Sequence, residues 1–256
     1  SILKFSSLRT IKKTDVGKNS IRKHSPFVLV VIVLSLIIIA LSNPQIVSIG
    51  VEKGINLGIV LDGSESMAAT DYKPTRLEAA KNAINSIVTK ISQKNNVGVV
   101  LFETGAGTVS YLTPVKEKTI NSISSIQQGT GATAIGDGVS LGIDMVSSTL
   151  DKKRVIILLS DGIQNSGLVS PEQAIEYAII NNVQIHTIGI GSENPVYLRD
   201  DIYGEAQYAE LDETTLRNIS ESTGGNYFKS VDEQTLNEIL VELSSNMEYE
   251  TELSTI

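Results

Sequence analysis

From Asn43 onward the sequence alternates short runs rich in valine and isoleucine with longer stretches in which apolar residues return every three or four positions. That alternation points to βαβ units, because parallel neighbours need a long crossover connection and a helix is the usual one. Runs at 56–61, 97–102, 108–112, 154–159, 183–190 and 226–229 read as strands. Several are apolar at consecutive rather than alternate positions, so helices must cover both faces of their sheet. The stretch following Asp71 reads as a helix with Leu77, Ala80, Ile84, Ile87, Val88 and Ile91 on one face and Lys81, Asn82 and Lys90 elsewhere. Further helices are expected near 134–149, 171–182, 211–222 and 232–245, where Asp212 and Asp232 can cap starts and Gly224-Gly225 can supply a left-handed stop. Residues 192–210, with Pro195, Asp200, Asp201 and Gly204, read as a longer loop or hairpin. The expected fold class is α/β, a doubly wound, Rossmann-like, mostly parallel sheet flanked by helices.

Ahead of this region lies an uncharged run, 27–42, whose only hydroxyls are Ser35 and Ser42. As a helix it would extend about 24 Å at about 1.5 Å per residue, somewhat short of the roughly 30 Å hydrocarbon core, so its flanks would snorkel. Apolar all round and preceded by a basic flank, it reads as a transmembrane helix. A cleaved signal peptide competes, since Ala40-Leu41-Ser42 looks like a small-x-small cleavage site, but the leader would be unusually long. Residues 1–26 hold seven basic side chains against Asp15 alone, whereas 43–256 carry 14 basic and 28 acidic groups, within a net charge of −8 for the chain. The positive-inside rule therefore puts 1–26 in the cytoplasm and everything after 42 outside the cell membrane. The acidic remainder disfavours phosphate backbones, so nucleic acid is not an expected partner. The organisation read from sequence is a basic cytoplasmic segment (1–26), a transmembrane helix (27–42), a linker (43–52), the α/β domain (53–230), and a C-terminal helix and tail (231–256).

Cysteine is absent and the two histidines are His24 and His186, so any metal must be held by oxygen. In an open α/β sheet ligands collect outside the carboxyl ends of the strands. Three stretches with side-chain oxygens fall there: Asp62-Gly63-Ser64-Glu65-Ser66 after the first strand, Ser160-Asp161-Gly162 after the fourth, and Gly129 to Gly136, with Thr133, opening a helix between them. In an extended segment alternate side chains share a direction, so Asp62, Ser64 and Ser66 can converge while Glu65 points away. Two carboxylates, Asp62 and Asp161, would balance a hard cation such as Mg²⁺, Mn²⁺ or Ca²⁺, and the neutral hydroxyls of Ser64, Ser66 and Thr133 would leave it electrophilic toward an incoming anion. Alone, Asp62-Gly63-Ser64 is an ordinary polar turn. Thr133 and Asp161 at the neighbouring strand ends favour the metal reading.

These three stretches resemble the von Willebrand factor type A (VWA) domain and its metal-ion-dependent adhesion site (MIDAS). The sequence from Leu3 to Leu8, the apolar run ending in Asn43-Pro44-Gln45, the Asp71 to Lys81 segment and the Glu210 to Leu216 segment resemble BatA-type membrane-anchored VWA proteins of aerotolerance operons. The resemblance implies a VWA-type sheet with metal ligands at Ser64, Ser66 and Thr133, and at Asp62 and Asp161 directly or through water. It also implies an extracytoplasmic complex in which the ion captures a partner protein's Asp or Glu. Other membrane-anchored VWA proteins and a MoxR-type ATPase are the implied partners. Glu65 stands where family members commonly have glycine. Such proteins tend to carry a membrane helix before the basic segment and another after the domain; neither is in the 256 residues, which are expected to be a piece of a longer chain, with 231–256 leading to the second anchor.

Other polar residues have plainer readings. Asp71 and Arg76 are expected to cap a helix and form a surface ion pair, Asp137 to complement a helix dipole, and Lys152-Lys153-Arg154 to be a solvated cluster at the opposite sheet end. Tyr197, Tyr203 and Tyr208 beside Asp200 and Asp201 read as an exposed hairpin in preference to a recognition loop. A catalytic alternative assigns Ser64 or Ser66, Asp161 and His186 to a hydrolase triad, or the site to a metal-dependent hydrolase. His186 lies inside an apolar strand and Gly63-Ser64-Glu65-Ser66-Met67 lacks a Gly-x-Ser-x-Gly elbow, so no enzyme activity is expected.

Overall fold

A computed structural model describes residues 19–41, 54–149, 152–192, 194–200 and 204–253. It divides into two compact units, 1–50 and 51–256. In the first, helix α1 (Asn19–Leu41) contains the expected apolar run up to Leu41, while the basic tail before Asn19 and Ser42 lie outside the described residues. Its side chains are described from His24 to Ile38, and every one of them is exposed. Among the described residues no helix is long and apolar enough to cross a membrane. The apolar positions with described side chains, 27–38, cover only about 18 Å at about 1.5 Å per residue.

The second unit begins with β1 (Ile55–Asp62) and α2 (Arg76–Lys90), followed by β2 (Asn96–Phe102), β3 (Ala106–Thr113) and α3 (Lys116–Ser124). Then come α4 (Ile135–Ser147), β4 (Lys153–Ser160), α5 (Pro171–Ile180) and β5 (Val183–Ile190). It closes with β6 (Val196–Asp200), β7 (Ala206–Ala209), α6 (Glu213–Ser222), β8 (Tyr227–Ser230) and α7 (Glu233–Leu253). The main sheet has the order β3-β2-β1-β4-β5-β8. Only β3 runs antiparallel in it. All six strands read from sequence are present. The 192–210 stretch contains the separate β6–β7 hairpin; Tyr203 and Asp201 lie outside the described residues.

Strand alternation splits the core into two layers. Leu57, Ile59 and Leu61 of β1 with Val155, Ile157 and Leu159 of β4 face α2 and α7, whose Leu77, Ile84, Val88, Leu236 and Leu240 complete that layer. The C-terminal helix set apart in the sequence from the α/β domain thus contributes to the sheet's core. Val60, Ile156 and Leu158 face the other way, toward Val139, Ile143 and Val146 of α4, Ala174 and Ala178 of α5, and Leu216 and Ile219 of α6. Helix α4 lies very close to the sheet: a Cβ on Gly142 would come within 2.6 Å of Val60 Cγ2.

Local signals start the helices. The Thr75 side chain accepts from the Glu78 amide at the head of α2, Ser170 and Gln173 form a capping box with Pro171 in the first turn of α5, and Asp212 accepts from the Thr214 and Thr215 amides to start α6. Asp232 accepts from the Thr235 amide, and Gly224 takes φ +74°, the left-handed stop expected after α6. Helix α3 was not anticipated: only two of its residues, Thr119 and Ile123, are buried, too few for a clear periodic signal. Lys81, read as lying off the apolar face of α2, is buried all the same; its ammonium donates to the Ile126 carbonyl and to Glu78.

Chain order places the functional rim. The chain leaves β1 for β2 on one side and returns for β4 on the other, so the strand order reverses between β1 and β4. A crevice at the carboxyl ends of those two strands is where a doubly wound sheet takes its ligand.

Candidate metal centre

Leu61 pairs with Leu159 across β1 and β4, so Asp62 and Ser160 leave the sheet side by side. Asp62 is fully buried; its Oδ2 accepts from the Ser160 hydroxyl at 2.5 Å and its Oδ1 from the Ser64 amide at 2.9 Å. The chain does not stay extended beyond Asp62. Residues Glu65–Ala68 form a 3₁₀ turn, and it is this turn that brings the Ser64 and Ser66 hydroxyls to 3.1 Å. The convergence expected from strand alternation is therefore reached by a different local geometry. Glu65 lines the same cleft as Ser66, and its carboxylate pairs with Arg199 on β6, with Nη2 to Oε2 at 3.0 Å.

The second stretch is tied to the first by the backbone. The Glu65 amide donates to the Gly131 carbonyl at 3.1 Å, and the Gln128 side chain donates to the Ser64 carbonyl at 2.9 Å. Thr133 is buried just ahead of α4, its amide donating to the Asn165 side chain at 2.7 Å and its carbonyl accepting from the Asn165 amide. Ser66 and Thr133 line one cleft of about 400 Å³, closed on its far wall by Leu198, Gln207, Tyr208 and Ala209 of the hairpin. The hairpin is thus a wall of the site, although Tyr197 and Tyr208 are half exposed and stack edge to face.

Asp161 follows β4 and is fully buried, yet neither of its carboxylate oxygens has a hydrogen-bond partner. Burial and the charge of Asp161 push Asp62 up to about 7 against the pull of the Ser160 and Ser64 groups. Burial likewise raises Asp161, opposed by the nearby Ser66 hydroxyl and the Arg76 guanidinium. Two carboxylates forced together out of water resist joint ionisation, and a divalent cation is the group that relieves that cost. Among the described residues no set of three or more His, Asp or Glu is placed to hold a metal. A cation here would rest on two carboxylates and on hydroxyls, all hard donors suited to Mg²⁺ or Mn²⁺.

Residues 57–164 match the family model of the von Willebrand factor type A domain, a span that runs from β1 through Asp161. The chain carries a VWA domain. A curated relative, an uncharacterized protein of Borreliella burgdorferi, is 30% identical over 210 residues, 77% of this chain; the match spans 61% of that protein's length. Among solved structures, an aerotolerance-related membrane protein of Bacteroides fragilis superposes with a TM-score of 0.70 at 23% identity, covering 77% of this chain and all of that one. Proximal thread matrix protein 1 of the mussel byssus, solved with a zinc-occupied MIDAS motif, gives 0.60 at 24% identity, covering 77% of this chain and 46% of that one.

Three features of this VWA rim were missed or misread from sequence. Arg76 and Asp71 are not a surface pair: Arg76 is fully buried, and besides gripping Asp71 its Nη1 lies 3.7 Å from Asp161 Oδ2. The spacing of the Asp71 to Arg76 segment was visible, but its burial depends on packing that no local pattern encodes. Ser160, placed at the rim from sequence but given no role there, has the hydroxyl that bridges Asp62 and the Gly162 amide. Asp137 does more than complement a helix dipole, since its carboxylate accepts from the Leu168 and Val169 amides and anchors that loop. His186 sits in mid-strand opposite Ile157, three positions before the rim, and its Nδ1 accepts from the Asn226 amide. Lys152 and Arg154 bond to the Lys94 and Asn181 carbonyls at the opposite sheet end.

Proposed function

We propose that this VWA domain is a membrane-anchored binding module that holds one divalent cation, Mg²⁺ or Mn²⁺, at Asp62, Ser64, Ser66, Thr133 and Asp161, and uses it to capture an acidic side chain of a partner protein. The observation that carries this reading is the pair of buried carboxylates at the ends of β1 and β4, one of them with both oxygens unpartnered. When bound, the cation supplies a Lewis-acid centre for a carboxylate ligand. Asp62 and Asp161 balance its charge, while the neutral Ser64, Ser66 and Thr133 hydroxyls leave part of that charge to attract the partner. A local positive centre overcomes the repulsion that the acidic 43–256 region would exert on an acidic ligand.

The zinc-occupied motif of the mussel protein supports a divalent ion in this fold. The Bacteroides fragilis protein, described as aerotolerance-related and of the membrane, supports a BatA-type role. Anchoring rests on the 27–42 run, with 1–26 cytoplasmic and the domain outside. The partners are then other membrane-anchored VWA proteins and, across the membrane, a MoxR-type ATPase. No catalytic step is assigned to the site: His186 is engaged within the sheet, its Nδ1 accepting from the Asn226 amide, and Glu65 beside the serines is paired with Arg199. A pull-down from membranes with the full chain tests the proposal. Partner recovery should need Mg²⁺ and fall in chelator and in Ser64→Ala; undiminished recovery in both would place recognition on another surface.

A further inference from the structure

The Asp71 to Arg76 segment is left over from this assignment, and the geometry points to a role for it: we propose that Arg76, counterbalanced by Asp71, sets through its charge beside Asp161 how tightly the site holds its cation. The inference rests on the metal reading above.

Arg76 opens α2 with its side chain fully buried. Nε donates to both Asp71 oxygens at 2.8 and 3.1 Å, and Nη2 donates to Oδ2 at 2.7 Å, a two-pronged grip that fixes the guanidinium plane. Asp71 Oδ2 also accepts from the Ser192 amide at 3.2 Å, and Gly191 packs so close that a Cβ there would meet Nη2 at 3.4 Å. The remaining nitrogen, Nη1, has no hydrogen-bond partner and lies 3.7 Å from Asp161 Oδ2. That separation is short enough for charge attraction and too long to occupy a lone pair. The guanidinium thus acts on Asp161 by its charge without taking up either carboxylate oxygen. An Arg serving only as a partner for Asp71 would not leave a buried nitrogen directed at a second carboxylate.

The charges make the consequence specific. Asp62 and Asp161 together offer two negative charges to a doubly charged cation, and the Asp71–Arg76 pair adds none in sum. The positive member stands nearer the site, so it opposes cation binding; the negative member offsets it. Removing one partner or the other should then move cation affinity in opposite directions. A purely structural ion pair predicts loss in both cases.

The test is calorimetric titration of the full chain in detergent with Mn²⁺ alone, with circular dichroism as the check on folding. Asp71→Asn, which keeps an acceptor for the guanidinium but strips its counter-charge, should weaken Mn²⁺ binding on the order of tenfold. Arg76→Met should tighten it by a similar factor. Should Arg76→Met fail to fold, the paired replacement Asp71→Leu with Arg76→Met removes the buried guanidinium and its partly buried counter-charge together, and it should bind Mn²⁺ no more weakly than the unaltered chain. Weaker binding in Asp71→Asn and in either Arg76 variant would overturn the inference while leaving the metal site standing. Absence of Mn²⁺ binding by the unaltered chain would overturn both.

Discussion

Replacing Asp62 with Asn should stabilise the metal-free protein at alkaline pH while removing its response to divalent cations. Asp62 is raised from an ordinary 3.8 to about 7, chiefly by burial and then by the charge of Asp161. A carboxyl raised on folding contributes its full stability below the unfolded value and loses it as pH climbs through the folded one. Between pH 5 and pH 7 the unfolded chain is ionised and the folded one is not, so each pH unit costs about 1.4 kcal/mol, and the loss levels off above 7. From pH 5 to pH 8 the metal-free protein should thus weaken by about 3 kcal/mol on account of this group. The amide in Asp62→Asn does not ionise, so the variant carries no such slope. Whatever the variant loses in its contacts with the Ser64 amide and Ser160 hydroxyl is the same at both pH values. Urea unfolding in chelator at pH 5 and pH 8 should therefore show the stability difference between variant and parent shifting by about 3 kcal/mol toward the variant. Added Mg²⁺ should then restore the parent at pH 8 and leave the variant unmoved. Parallel profiles for the two proteins across this pH range would refute the account of a strained carboxylate pair, and an equal Mg²⁺ response would refute Asp62 as a ligand.

Thr133→Ala should reduce partner recovery in a Mg²⁺ pull-down by roughly tenfold while lowering unfolding stability by only about 1 kcal/mol, since the Thr133 backbone bonds to Asn165 remain; Lys152→Ala at the opposite sheet end should change recovery little. Gly136→Ala should destabilise the domain by about 3 kcal/mol in urea unfolding, because a Cβ there would lie 2.1 Å from the Val169 carbonyl oxygen against the rigid start of α5. With no native cysteine in the chain, an impermeant thiol reagent on intact cells should label Tyr111→Cys, at a position 80% exposed, and spare Ser20→Cys; the reverse pattern would invert the proposed orientation.

Much of the molecule was legible in the residues alone. Consecutive apolar residues in β1, β2 and β4 announced strands covered on both faces, because a strand exposed on one face would have to alternate. Caps such as Ser170 and Asp212 and the left-handed stop at Gly224 act over three or four residues, so they were readable too. The polar residues ending β1 and β4, with Thr133 between, were placed at one rim by the general rule for where open sheets bind ligands. Packing decided the rest. The 3₁₀ turn that joins Ser64 to Ser66 follows from how that loop docks on Gly131, a contact 66 positions away in sequence. The hairpin wall over the cleft depends on Arg199 meeting Glu65, 134 positions apart. The burial of Arg76 beside Asp161 depends on α2, β4 and the segment around Gly191 closing around one guanidinium. Local sequence specifies hydrogen bonds and periodicities within a few residues, whereas the dielectric around a charge is set by whatever the whole chain packs against it. That is why the identities of Asp62, Asp161 and Arg76 could be read directly, and the electrostatic tension among them only from the folded domain.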